Sequence, residues 1–176
     1  MASGDHRIAV LIDGPSLHGA SRALGFEVDF RRLLAELQDR ATLSRAFYYT
    51  VVLEHQAFSL RPLLDWLEYN GFTVIAKPAT LFDDGEGRRK IKRSTRVELV
   101  VDAFAMADQV DEIILFSGDG DFCPLIEALQ RRGVRVTVVS TVSTQPPMIA
   151  DELRRRADVF IDLMDLQSRI GREVRY

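Results

Sequence analysis

The sequence predicts an α/β fold built on a central, mainly parallel sheet. Short apolar runs, rich in β-branched residues, alternate with segments whose apolar residues recur at helical spacing. Most of the runs are too apolar to have a wet face, as in strands covered on both sides by helices. Two helical segments stop at Gly71 and Gly133, where left-handed helix caps usually fall.

Taken in order, strands are expected at Ile8–Ile12, Leu43–Val51, Thr73–Ala76, Glu112–Phe116 and Val134–Val139, with a short one at Val159–Ile161. Asp29 to Asp39 reads as a helix with Leu33, Leu34 and Leu37 on one face. Gln56 to Asn70 carries Leu60, Leu63, Leu64 and Leu67 in the same way, and Phe122 to Arg132 carries Leu125, Ile126 and Leu129. A further apolar segment runs from Val97 to Met106. Pro146-Pro147 opens the segment leading into Met148–Arg156, and a last helix runs from about Asp162 to Ile170. One irregular insert, at about residues 77–94, breaks the pattern. Its Asp83-Asp84-Gly85-Glu86-Gly87 has turn chemistry, and its flanks suit a small hairpin or flap. There is no internal repeat and no low-complexity linker, so the expectation is one domain over residues 7–172 with short tails.

The 176 residues suffice to bury the core of one domain, and 47% hydrophobic with 28% charged content is ordinary for a soluble protein. A net charge of −3 provides no global attraction for nucleic acid, so any such argument rests on local clustering. The single cysteine, Cys123, excludes an intramolecular disulfide and fits a reducing compartment. It is expected to be a small buried residue at a helix start rather than a nucleophile. No apolar stretch approaches the ~20 residues of a membrane span. Residues 1–6 lack the apolar core of a signal peptide, so the expected location is cytoplasmic.

The chemistry concentrates in four acids. Asp13 ends the first apolar run, where a carboxylate at the end of a buried strand needs a partner. Asp119 and Asp121 follow the run Ile113–Phe116 in Ser117-Gly118-Asp119-Gly120-Asp121-Phe122. One of the pair, Asp121 by position, serves as a cap for the helix at Phe122, and two acids exceed what capping requires. Asp102 lies in the segment 97–106 with Glu98 four residues earlier on the same face. In an open α/β sheet the carboxyl ends of adjacent strands converge on one crevice. Carboxylates delivered there repel one another unless a cation lies between them, and such oxygen-rich sites suit Mg²⁺ or Mn²⁺. Ser16 is either a helix N-cap or part of this crevice.

Other chemistries find less support. No Gly-x-Gly-x-x-Gly fingerprint or Walker A loop follows the first strand, no Gly-x-Ser-x-Gly elbow is present, and His6, His18 and His55 lack metal-ligand spacing. The one strong basic cluster is Arg88, Arg89, Lys90, Lys92 and Arg93, followed by Arg96. Its place before the Asp102 segment suits contact with phosphates at the rim of the crevice. Aromatic residues for base stacking are scarce in the insert, where Phe82 stands alone.

Ile12-Asp13-Gly14-Pro15-Ser16-Leu17, the segment from Lys90 to Asp102, and Ser117–Phe122 together resemble bacterial NYN-domain proteins of the LabA type. Arg45–Thr50, Asp65–Gly71 and Gln145–Asp158 match in the same order, so the resemblance covers about residues 7 to 172. It implies a PIN-like, Rossmann-type three-layer sandwich and Mg²⁺- or Mn²⁺-dependent cleavage of RNA. Carried over by position, Asp13, Asp102, Asp119 and Asp121 are the acidic-site residues, with Asp13, Asp119 and Asp102 as metal ligands. Two departures stand out. Ser16 replaces a usual asparagine, and Arg96 takes the place of an expected active-site aspartate, which reverses the charge there.

The resulting expectation is a divalent-metal-dependent ribonuclease whose partner is RNA, with Arg88, Arg89, Lys90, Lys92 and Arg93 on the RNA backbone. The alternative is a catalytically impaired relative that binds RNA or a protein partner as a regulator, for which Ser16 and Arg96 speak. A phosphatase-like or nucleotide-binding enzyme ranks below both. A homodimer is compatible with either main reading.

Overall fold

The computed structural model describes residues 5–91 and 93–173. A six-stranded, fully parallel sheet runs in the order β4-β3-β1-β7-β8-β9. Its strands are β1 (Arg7–Asp13), β3 (Thr42–Leu53), β4 (Phe72–Ala79), β7 (Glu112–Phe116), β8 (Arg135–Ser140) and β9 (Val159–Asp162). All six correspond to expected strands. Ile8 to Ile12 have no exposed surface, which is why β1 sits near the middle of the sheet with a strand on either side.

Side chains alternate across each strand, and the two faces carry separate cores. Ala9 and Leu11 join Phe47, Tyr49, Leu115 and Val138 on one face. That face is covered by α4 (Arg96–Met106), α5 (Cys123–Arg131) and α6 (Asp151–Arg156). Ile8, Val10 and Ile12 join Tyr48, Ile114 and Phe116 on the other. There α1 (Gly14–Ala23), α2 (Phe30–Arg40), α3 (Ala57–Tyr69) and α7 (Leu163–Ile170) pack. The result is a three-layer α/β sandwich. Among the described residues no helix is long and apolar enough to cross a membrane.

Local signals set most helix ends. Asp29 accepts from the N–H groups of Arg31 and Arg32 at the start of α2, and Asp162 accepts from Met164 at the start of α7. Gly71 and Gly133 take φ of +90° and +80° beyond α3 and α5, a conformation that costs an L-residue about 1–2 kcal/mol. The helix expected over 148–156 is shorter, Asp151–Arg156, because Met148 pairs its backbone N–H with Thr141 and its carbonyl with Ser140 instead. Two small antiparallel ribbons complete the chain. One pairs β2 (Phe26–Val28) with β10 (Gly171–Glu173) and was not anticipated. The other pairs β5 (Leu81–Asp83) with β6 (Arg89–Ile91), giving the insert its hairpin.

Glu112 is buried at the start of β7, at the edge of the sheet away from the acidic residues. Burial pushes its carboxyl up, but the Thr137 hydroxyl, His6 (2.8 Å) and Arg40 (3.5 Å) more than offset this and hold it below the usual range. Glu112→Ala leaves the buried Thr137 hydroxyl without its partner and is expected to cost about 2 kcal/mol, read as a lower urea midpoint. A depressed carboxyl stabilises above its ordinary value of 4.5 and loses that contribution as pH falls through the folded value. The stability gap between wild type and variant is therefore expected to narrow below pH 4.5.

Candidate functional site

Because every strand of the main sheet is parallel, β1, β3 and β7 end at one edge. Asp13 is the last residue of β1 and stands in register with Tyr49 of β3, while Ile12 stands beside Phe116 of β7. Ser117, the first residue after β7, donates its hydroxyl to Asp13 Oδ2 at 3.1 Å. Ser117 Oγ in turn accepts from the Asp119 N–H at 3.2 Å, so Ser117 ties the two acids to one another.

The turn after β7 is held from both sides. Gly118 donates its N–H to Ser16 Oγ at 3.2 Å, and its carbonyl accepts from Ala150 N–H at 3.0 Å. Ser16 thus contributes to the crevice wall. Asp119 Oδ1 accepts from Asp121 N–H at 3.0 Å and caps the 3-10 turn Gly120–Phe122. The capping acid is therefore Asp119 rather than Asp121, because the extended backbone at Asp119 precedes the turn. Cys123 follows at the start of α5, half-buried, with its thiol pushed up by burial and by the Glu152 charge, against Arg156.

Arg96 is the first residue of α4 and reaches into this group. Its Nε donates to Asp119 Oδ2 at 2.6 Å, and its Nη1 lies 3.6 Å from Asp121 Oδ2. The Arg96 side chain is 55% exposed, so water screens the pairing and its stabilisation stays near ~1 kcal/mol. Its larger effect is on the local charge. Burial pushes the Asp13 carboxyl above the usual range; the Ser117 hydrogen bond opposes this, while Asp119 adds to the rise and Arg96 counters it. Across the Asp13–Gly14 turn, burial and the Asp13 charge push the Tyr48 phenol up to about 12.

Asp102, half-buried on α4, accepts from the hydroxyl of Tyr49 at 2.8 Å, the β3 residue in register with Asp13. The Tyr49 phenol is held far above its ordinary value by burial and by that bond, so it remains a donor. Glu98 shares the face, as expected, and is paired with Lys77. Tyr49, Tyr48 and Ser117 are contributors that the acidic pattern did not reveal. The signals for the two tyrosines were the Arg45–Thr50 stretch of the resemblance and their position in β3, where alternation sends one to each face.

The basic residues are on and beside the β5–β6 hairpin. Gly85 and Gly87 turn it with positive φ, and Asp84 accepts from the N–H groups of Glu86 and Arg88, which holds its carboxyl below the usual range. Lys90 is 3.4 Å from Asp84. Arg88, Arg89 and Arg93 are exposed, and among the described residues no carboxylate lies within ion-pair distance of them. Lys92 lies outside the described residues.

The expected divalent cation does not fit this arrangement. Among the described residues no three His, Cys, Asp or Glu side chains converge closely enough to hold one. Each acid is already engaged: Asp13 by Ser117, Asp102 by Tyr49, and Asp119 and Asp121 by Arg96. A guanidinium supplies the positive charge beside Asp119 and Asp121.

Residues 7–165 match the NYN domain family. The chain is 38% identical over 179 residues to the "Low amplitude and bright protein LabA" of Synechococcus elongatus, covering 99% of this chain and 93% of that protein. A crystal structure of a Vibrio parahaemolyticus protein of unknown function has the same fold, with a TM-score of 0.75 and 27% identity over 93% of this chain and 96% of that one. The ordered strand-end acids and these likenesses converge: the chain belongs to the NYN domain family and is LabA-like.

Proposed function

We propose that this protein binds single-stranded RNA through its basic hairpin and the adjoining crevice, and that it serves as a binding member of its family. The observation that carries this reading is the Arg96–Asp119–Asp121 ion pairing. A guanidinium among the acids offsets part of their charge and offers further N–H donors to a phosphate, the recognition for which arginine is suited. Exposed Arg88, Arg89 and Arg93 extend the cationic surface. The NYN domain is part of the PIN-like nuclease superfamily, which supports nucleic acid as the ligand.

A second reading, divalent-metal-dependent cleavage of RNA, draws on the Asp13–Ser117–Asp119 linkage, which keeps two acids at one strand end. The test is a labelled single-stranded RNA incubated with Mg²⁺, Mn²⁺ or EDTA. Binding without cleavage, insensitive to EDTA, is expected. Arg88→Ala with Arg89→Ala is expected to weaken binding about tenfold and to reduce the salt dependence by roughly one phosphate contact per arginine. Cleavage that requires Mn²⁺ and disappears in Asp119→Asn would establish the second reading instead.

A further inference from the structure

A cavity of about 410 Å³ opens on the opposite face of the sheet from Asp102, beside Gly14 and Pro15, the two residues that follow Asp13. Its size falls within the roughly 300–1,000 Å³ of small-molecule sites. The walls are largely apolar: Leu60 and Leu63 from α3, Leu17 from α1 and Phe30 from α2. Phe30 and Tyr48 meet edge-to-face, with centroids 5.7 Å apart.

Two hydroxyls in the wall make no hydrogen bond to protein among the described residues. Tyr48 and Thr50 are neighbours on the same face of β3, each 94% buried by its 6% exposure, and both line the cavity. Neither hydroxyl has a hydrogen-bond partner among the described residues, although other buried side-chain hydroxyls nearby do, as Ser21 does with the His18 carbonyl. Both residues line the cavity, and their hydroxyls open onto it, where water or a ligand can partner them. Each hydroxyl both donates and accepts. Together they match the mixed donor–acceptor edge of a planar heterocycle held between apolar walls. Gln56 and His18 add further polar groups to the wall. At the solvent side, Arg172 is 63% exposed and lies 3.3 Å from Glu27. Phe58, 92% exposed, precedes the cavity-lining Ser59 by one residue and offers a stacking surface outside.

We infer that this cavity is a nucleoside pocket, which takes one base of a bound strand while its phosphates pass over the Asp13–Gly14 turn toward Arg96. The inference deepens the RNA-binding reading and names the site that receives a base. The base is held by stacking and by the Tyr48 and Thr50 hydroxyls, which favours single-stranded RNA over duplex, since only an unpaired base can leave its stack. A free nucleoside monophosphate offers the same chemistry.

The test measures binding of the four nucleoside 5′-monophosphates and of a single-stranded RNA to three proteins: wild type, Thr50→Val and Leu60→Trp. Thr50→Val is nearly isosteric and removes only the hydroxyl, whereas Leu60→Trp fills the cavity. Loss of one stacked base is expected to weaken RNA binding by roughly tenfold in Leu60→Trp and less in Thr50→Val, with the salt dependence unchanged. A monophosphate is expected to bind wild type and to lose affinity in both variants. If RNA binds wild type and both variants equally and no monophosphate binds, the pocket is overturned while RNA binding stands. If monophosphates bind and are lost in the variants but RNA does not bind, the pocket stands and the RNA-binding reading falls. Should Leu60→Trp fail to fold, Thr50→Val and the wild-type titration decide the matter.

Discussion

Arg96→Asp is expected to turn the acidic crevice into a Mn²⁺ site and to make stability depend on that ion. In the wild type the guanidinium donates to Asp119 at 2.6 Å and approaches Asp121 at 3.6 Å. The substitution removes that cation and adds a carboxylate near Asp13, whose carboxyl is already raised by burial and by the Asp119 charge. In EDTA the variant is therefore expected to lose about 1–2 kcal/mol of stability, within the ordinary range for a point change. Because a metal binds only the folded site, Mn²⁺ at 100 times its dissociation constant adds about 2.7 kcal/mol, or roughly 5–10 °C in Tm for a chain of this size. Wild type is expected to respond far less. Thermal unfolding of both proteins with EDTA and with Mn²⁺ reads this directly, without reference to activity. Equal Mn²⁺ responses in the two proteins would show that Arg96 does not control the site.

Gly118→Ala is expected to be the most damaging single change near the crevice. A Cβ at this position would lie 1.8 Å from the Met148 carbonyl oxygen and 3.0 Å from Ile149 Cα. Both obstacles are backbone, so no rotamer change relieves them. The same turn is held by the Ser16–Gly118 and Gly118–Ala150 hydrogen bonds, and moving it displaces Asp119 from Arg96. The expected cost is at least about 3 kcal/mol, or roughly 6–12 °C in Tm. Gly25→Ala is the control. Gly25 has φ of +86° with nothing within 4 Å of a new Cβ, so only backbone strain of about 1–2 kcal/mol is expected. If the two substitutions lower Tm equally, close approach at Gly118 is not what the glycine provides.

The six strands of the main sheet and most of the helices on it were legible before any coordinates, within a residue or two at most ends. Five consecutive apolar residues in β1 have no stable place except between two strands. Asp29, Asp162, Gly71 and Gly133 mark their helix ends through their own side-chain or backbone chemistry. The β2–β10 ribbon was not legible. Its strands have three residues each and pair across nearly the whole chain, so neither carries a periodic signal. The short α6 escaped for a related reason: Met148 is held by Thr141 and Ser140, which the local pattern does not show.

The candidate site divides in the same way. That Asp13 and the Asp119–Asp121 pair stand at strand ends, and that an arginine replaces an acid at position 96, is a property of the linear order of residues. Which donor each carboxylate meets is not. Asp102 is bound by Tyr49, 53 positions earlier, and Asp13 by Ser117, 104 positions later. Those pairings follow from the register of β1 against β3 and β7 and from the seat of α4 across them. Periodicity and capping act over a few residues, so the sequence alone determines where the strands end and which charges arrive there. Only the packed sheet decides that Asp119 and Asp121 meet Arg96, that Ser117 ties Asp119 to Asp13, and that Asp102 turns to a tyrosine.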